Sequence, residues 1–262
     1  MEFLIIFCVA IVISAVGFKK FVWFISLGYG FSVASAAIAM LLLFSGYLTP
    51  AGVVLSVLLM VYGMRLGGFL LYRELKSSSY NSKMKKEIND GSSMKFPLKL
   101  VVWISCAFLY ACEVSPVLFR LKAGKSFDVC SIIGIIIMVS GLCIESLSDF
   151  QKSKAKKNRP DRFVDTGLFK IVRCPNYFGE ILFWTGVFVS GLSVLGGWQW
   201  LFAILGYVCI VYIMFGGARR LELRQNRNYG DDPEYREYVS KVPIILPLVP
   251  LYSVAKYEWL VG

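Results

Sequence analysis

Seven apolar runs constrain this chain more than any other feature of its sequence. They lie at roughly residues 3–18, 21–45, 51–72, 97–119, 127–148, 178–195 and 198–216. The hydrocarbon core of a bilayer takes about 20 apolar residues per helix. In lipid each backbone N–H and C=O must be satisfied within the segment, which restricts such runs to helices. The pattern predicts an all-α, polytopic membrane helical bundle with about seven transmembrane helices. The first and sixth runs are short, and only Gly196-Gly197 separates the last two, so six spans is the alternative. Charged residues make up 17% of the chain, against about a quarter in soluble domains.

The distribution of those charges orients the bundle. With seven spans, one side receives Lys19, Lys20, Arg73, Lys76, Lys83, Lys85, Lys86, Lys95, the basic run from Lys152 to Arg173 and the tail from Arg219. The other receives only Arg120, Lys122 and Lys125. The positive-inside rule then predicts an outside N-terminus and a cytoplasmic C-terminus. Glu2 stands where a signal peptide carries basic residues, and no small-x-small site precedes Lys19, so the first run is expected to remain as an uncleaved span. The net charge of +11 sits in membrane-flanking segments. Contact with anionic headgroups accounts for it, and nucleic-acid binding is excluded. The expected organisation is a single integral membrane domain over 1–262, in a bacterial plasma membrane or the endoplasmic reticulum. Its C-terminal region, 97–262, carries a cytoplasmic loop at 150–175 and a tail at 219–262. The polar stretch from Glu74 to Phe96 is expected to be a mobile connection.

The seven cysteines lack a recurrent spacing and lie mostly in apolar runs, where cysteine acts as a small hydrophobe. There is no histidine, which removes the commonest general base and the commonest metal ligand. No metal is expected.

Polar residues inside the runs recur at helical spacing. Tyr62, Arg65 and Arg73 lie on about one face of the third run; Glu145 and Asp149 are four apart at the end of the fifth; Asn176 and Glu180 are four apart at the start of the sixth. Singly, each has a structural explanation: Arg73 snorkels, Asp149 is a helix-end charge, Glu180 pairs with a cation. Jointly they favour a water-accessible, anion-tolerant cavity in the cytoplasmic half, since ionisable groups in a membrane segment are costly. No Walker sequence, G-x-G-x-x-G after a strand, H-E-x-x-H or G-x-S-x-G is present. Arginine and lysine for phosphate, asparagine and tyrosine for hydrogen bonds, and tyrosine as proton donor are what remains. That inventory suits hydride transfer from a cofactor. It also suits methyl transfer, which needs alignment of donor and acceptor.

The stretch from Glu145 to Trp184 resembles the C-terminal signature of the steroid 5α-reductase family, in its bacterial-type DUF1295 membrane branch. The residues that carry the resemblance are Glu145, Asp149, Gln151, Lys152, Gly167, Leu168, Phe169 and Arg173 through Glu180. Tyr62-Gly-Met-Arg65 resembles the family's Tyr-x-x-Arg, and Tyr235-Arg-Glu-Tyr238 with Val242-Pro243 and Pro247 resembles its tail. The resemblance implies a seven-span bundle that binds NADPH from the cytoplasm and takes a lipophilic enone or unsaturated lipid from the bilayer. It implies cofactor contacts at Asp149, Arg162, Asn176 and Glu180, with Arg65 and Arg73 beside them and Arg173 and Tyr177 in the same motif. It implies Tyr62 as the catalytic hydrogen-bond donor to the substrate carbonyl. Two departures stand out. Cys174 occupies the place of the family histidine, and residues 21–45 lack the acid that pairs with the tyrosine in steroid-active members. The pattern also resembles the isoprenylcysteine carboxyl methyltransferases, for which Glu222, Tyr235, Tyr238 and Val242-Pro243 serve equally and the cofactor is S-adenosylmethionine. The Asn-Tyr-Phe-Gly-Glu run with Asp149-x-Gln-Lys favours the reductase. A non-enzymatic membrane protein is the third reading and predicts no nucleotide binding.

Overall fold

Apolar runs of this length have one way to satisfy their backbone, and they take it. The computed structural model describes residues 1–76 and 94–260. Among them are eight α-helices: α1 (Glu2–Ser14), α2 (Leu27–Leu43), α3 (Pro50–Lys76), α4 (Phe96–Lys122), α5 (Val129–Asn158), α6 (Pro175–Gly191), α7 (Gln199–Tyr229) and α8 (Pro233–Lys241). Five helical stretches are long and apolar enough to cross a membrane: Phe21–Leu43, Pro50–Lys76, Phe96–Lys122, Val129–Asn158 and Gln199–Tyr229. The architecture is that of an all-helical integral membrane protein. The first and sixth apolar runs form the shorter α1, of 13 residues, and α6, of 17. At 1.5 Å per residue α6 is about 25 Å long. Most of the connection expected between Glu74 and Phe96 lies outside the described residues.

The chain divides into two compact units, residues 1–135 with 187–207, and residues 136–186 with 208–262. In the first, α2 and α3 meet along a seam of small residues. A methyl group on Gly30 would sit 2.7 Å from the Gly67 nitrogen, and one on Gly63 would sit 2.6 Å from the Ala34 nitrogen. Gly30/Ala34 and Gly63/Gly67 are each four apart, the small-xxx-small arrangement by which membrane helices bring backbones into contact. Lys20 and the Trp23 indole both bond the Glu74 carboxylate, tying the approach to α2 to the end of α3.

The end of α4 is pinned by a buried arginine. Arg120 Nε donates to the Ser190 carbonyl at 2.8 Å and Nη1 to the Ser126 carbonyl at 2.9 Å. Its Nη2 reaches Asp128 Oδ1 at 2.6 Å and Ser193 Oγ at 2.9 Å. Burial pushes the Asp128 carboxyl up. Hydrogen bonds from Ser193, the Ser131 backbone, Lys125 and the Ser131 hydroxyl outweigh it and hold the group well below the usual carboxylate range.

In the second unit α5 and α6 cross at another glycine pair. A methyl on Gly141 would sit 2.5 Å from the Gly179 carbonyl oxygen, and one on Gly179 would sit 2.8 Å from the Glu145 nitrogen. The linker that follows α5 folds back onto it through Gln151, whose Oε1 accepts from the Leu168 amide at 2.9 Å. Gly167 makes this turn at φ +63°, and a side chain there would collide with Gln151. Helix α8 starts with Asp232 accepting from the Glu234 amide at 2.9 Å and Pro233 in its first turn. Its Tyr238 hydroxyl donates to the Phe169 carbonyl at 2.7 Å, and Phe163 stacks on the Tyr238 ring.

Candidate functional site

Two groups of polar residues sit where apolar packing alone would have no use for them, one in each unit.

In the first unit the group is a cluster of tyrosines. Tyr62 on α3 is fully buried, and its hydroxyl lies 3.1 Å from that of Tyr29 on α2. The Tyr29 ring packs against Tyr110 with centroids 5.2 Å apart, and the Tyr110 hydroxyl donates to the Phe24 carbonyl at 2.7 Å. The small-residue seam explains the pairing. Gly30 and Gly63, each next to one of the two tyrosines, bring the backbones so close that the phenols meet. Arg65 follows Tyr62 by three residues, and Arg73 lies over the Phe69 ring at 5.6 Å. Tyr29 was not singled out by the sequence pattern. Its signal was weak, a tyrosine between Gly28 and Gly30 in a run without acids.

In the second unit the Gly141–Gly179 crossing brings Glu145 against the start of α6. The helices run antiparallel, so Asp149, one turn beyond Glu145, falls at the level of the first turn of α6. Glu145 and Glu180 are buried. Asn176 Oδ1 is buried with no hydrogen-bond partner among the described residues. Tyr177 points its hydroxyl at α7, where a methyl on Gly217 would sit 3.2 Å from it. The charges of Arg220 and Arg224 reach the same hydroxyl. Gly217, Arg220 and Arg224 recur at helical spacing, so one face of α7 presents the glycine that Tyr177 packs on and then two cations. Both arginines are exposed. In the sequence they had counted only as charge flanking a span.

The remaining motif residues are engaged within the chain. Arg173 is buried, bonds Glu222 at 2.8 Å and also donates to the Tyr252 carbonyl. Glu222 takes the Val254 amide at 2.9 Å. Arg162 is half-exposed and pairs with Glu234 at 2.5 Å and Asp165 at 3.0 Å, hydrogen bonds that push its pKa further up. Tyr235 donates to Asn226 at 2.8 Å. Burial raises the Tyr235 phenol to about 12 against the nearby Arg173 charge. Burial also drives the Cys174 thiol up to about 12, with Arg173 and Lys152 pulling the other way. A thiol so held is a packing group, not a nucleophile. Its backbone N–H donates to Ile244 at 2.9 Å, as that of Arg173 does to Pro243.

This arrangement follows a known family along most of its length. The family model described as "Protein of unknown function (DUF1295)" matches residues 10–242. The chain belongs to the DUF1295 family. It is also similar to the steroid 5-alpha-reductase DET2 of Arabidopsis thaliana, with 36% identity over 67 residues. That match spans 25% of this chain and 26% of the relative. No solved structure matches.

An unsatisfied amide oxygen, buried carboxylates and two exposed arginines form a donor and acceptor set that fits a nucleotide. Arginine matches phosphate, while asparagine and glutamate match an amide or ribose hydroxyl. In this DUF1295 chain the fitting residues are Asn176, Tyr177 and Glu180 of the motif, joined by Arg220 and Arg224. Arg173 spends Nη2 on Glu222 and Tyr252, while its Nε and Nη1 are buried with no hydrogen-bond partner among the described residues. Among the described residues no three His, Cys, Asp or Glu side chains are grouped to hold a metal ion.

Proposed function

We propose that the protein is a seven-span membrane reductase, N-terminus outside, that uses NADPH to saturate a carbon–carbon double bond in a lipophilic enone or related unsaturated lipid taken from the bilayer. The observation that carries this reading is the buried Tyr62–Tyr29 hydroxyl pair. The similarity to a steroid 5-alpha-reductase supports it.

NADPH, when bound, supplies the hydride. The Tyr62 hydroxyl donates a hydrogen bond to the substrate carbonyl and stabilises the charge that builds on its oxygen as the enolate forms. Tyr29 lies 3.1 Å away, and with Tyr62 donating to substrate its hydroxyl is left to donate to the Tyr62 oxygen and hold it in that orientation. Tyr29 takes the place of the acid missing from residues 21–45. Asn176 and Glu180 hold the cofactor's polar head, and Arg220 and Arg224 meet its phosphates. Arg65, Arg73 and Asp149 are the further cofactor contacts that the family resemblance implies. Arg162 reaches the 2′-phosphate by exchanging Glu234, which is 66% exposed and a weak partner.

The test is thermal stabilisation of the detergent-purified protein by NADPH, NADH and S-adenosylmethionine in parallel. Saturation at about 100 times Kd adds about 2.7 kcal/mol to the folded state. NADPH is expected to stabilise most, and Arg162→Gln to remove the preference over NADH. Stabilisation by S-adenosylmethionine alone would replace the reductase with a methyltransferase, and no response to any of the three would leave a non-enzymatic protein. Full enone reduction by Tyr62→Phe would remove Tyr62 from the mechanism.

A further inference from the structure

The last charge-free stretch of α7 runs from Gln199 to Ala218, and the helix turns polar at Arg219. About 20 residues fill the hydrocarbon core, so Arg219 marks the bilayer surface. The chain's tail is tied to this level. Arg219 Nε donates to the Ala255 carbonyl at 3.1 Å, and about two turns nearer the middle of the span Tyr212 donates to the Trp259 carbonyl at 2.6 Å with the two rings stacked. Trp259 is exposed, as tryptophans of an interfacial belt are. One turn further along α7, Glu222 takes the Val254 amide and pairs with the arginine that bonds Tyr252. The loop between Pro243 and Tyr252 therefore hangs at the membrane surface.

That loop is built to display an aliphatic side chain. Leu248 has φ 65°, a left-handed conformation that a leucine adopts only under strain. It is 101% exposed, between Pro247 and Val249. Beside it opens a cavity of about 310 Å³ lined by Lys170, Ile171, Lys241, Pro247, Leu248 and Val249, among others. Ile171 is 54% exposed. Among the described residues Lys241 pairs with Glu237 at 2.6 Å, both side chains exposed. In water two exposed aliphatic side chains and a strained leucine would gain nothing. At a bilayer surface they would enter the acyl region, with both ammonium groups at headgroup depth.

We propose that this pocket is a binding site for an anionic phospholipid, Lys170 and Lys241 clasping the phosphate headgroup while Leu248 and Ile171 enter the acyl layer. A polybasic contact weakens about fivefold for each lysine removed. The experiment titrates the full chain in neutral detergent with phosphatidylglycerol, phosphatidylcholine or inorganic phosphate and reads the melting temperature. Phosphatidylglycerol is expected to raise it, and the other two to leave it unchanged. Lys170→Gln with Lys241→Gln is expected to shift the titration midpoint about thirtyfold, Lys170→Arg with Lys241→Arg to retain it, and Leu248→Ser to weaken it while melting normally without lipid. An equal response to inorganic phosphate or phosphatidylcholine would overturn the proposal. So would a glutamine double variant that titrates like the wild type.

Discussion

Substituting Asp128 by asparagine is expected to unfold this protein far more readily than any change to the lysine beside it. The Arg120 side chain is 0% exposed and that of Asp128 19%, so the pair sits almost wholly out of water. Asparagine keeps an oxygen for the 2.6 Å bond to Arg120 Nη2 but removes the charge and puts an NH2 in place of Oδ2, which accepts from Ser193 Oγ and Lys125. The guanidinium is then left buried without compensation, which costs about 3–5 kcal/mol. The one-fifth exposure of the carboxylate puts this case near the lower end, about 3 kcal/mol. Lys125 bonds the same carboxylate at 3.0 Å but is 44% exposed, and its loss costs under about 1 kcal/mol. For a chain of this size the first change corresponds to a fall of about 6–12 °C in melting temperature. A thiol-reactive fluorophore reports the transition in detergent, because Cys112 and Cys174 are buried until the chain opens. The pH dependence supplies a second reading. A carboxyl whose folded pKa is depressed contributes stability above its unfolded value, near about 3.9, and loses it as pH falls through the folded value. The gap between wild type and variant is thus constant from neutral pH down to about 5 and closes in stronger acid. A variant melting within 2 °C (roughly 1 kcal/mol) of the wild type, or a Lys125→Gln change of equal effect, would refute the argument.

Other perturbations separate close packing from open surface. Gly63→Ala drives a methyl to 2.6 Å from the Ala34 nitrogen and is expected to lower stability by about 1–3 kcal/mol, whereas Gly68→Ala, with nothing within 4 Å, should be neutral or stabilising by up to about 1 kcal/mol in thermal melts. Gln151→Leu strips the Leu168 amide of its acceptor and should cost about 1–3 kcal/mol, with faster hydrogen exchange at Leu168 as the specific sign. Cys174 has a folded pKa of about 12, raised above the unfolded value of about 8.5. Its contribution is complete below about pH 8.5 and is lost as pH rises towards 12. Cys174→Ala should flatten the alkaline limb of the stability profile measured over that window.

Helix existence was plain in the sequence because lipid leaves the backbone no alternative. Span length was less so. The first run includes Ala15–Phe18, which closes as a 3₁₀ turn, so only 13 residues stay in α1. The sixth run gave way at Gly191, short of the Gly196-Gly197 break. Helical spacing pairs Glu145 with Asp149 and Asn176 with Glu180, each on one face of its own helix, because a four-residue step fixes a face. That α5 and α6 meet there comes from the Gly141–Gly179 crossing, which spacing does not reveal. Nor could spacing find Tyr29. Nothing periodic marks a lone tyrosine as the partner of another 33 residues away, and only the glycine seam brings their hydroxyls together.

The motif itself divides by chemistry. Gln151, Gly167 and Arg173 are held by bonds that fix the linker and the tail: a side-chain amide on a turn, a positive φ, a buried ion pair. Gln151 and Gly167 shape the linker, whereas the Arg173 side chain bonds through Nη2 alone and keeps Nε and Nη1 buried with no hydrogen-bond partner among the described residues. Asn176 shares that state, with a buried oxygen unsatisfied among the described residues, and Tyr177 packs on Gly217 within reach of the charges of Arg220 and Arg224. An unsatisfied buried oxygen costs about 1–3 kcal/mol. A chain that carries this deficit beside two exposed cations has reason to recover it from a ligand. On that ground ligand chemistry belongs to Asn176, to the unsatisfied nitrogens of Arg173 and to α7, and scaffolding to Gln151 and Gly167. The Cys174 departure falls on the scaffold side, where a thiol held neutral serves packing.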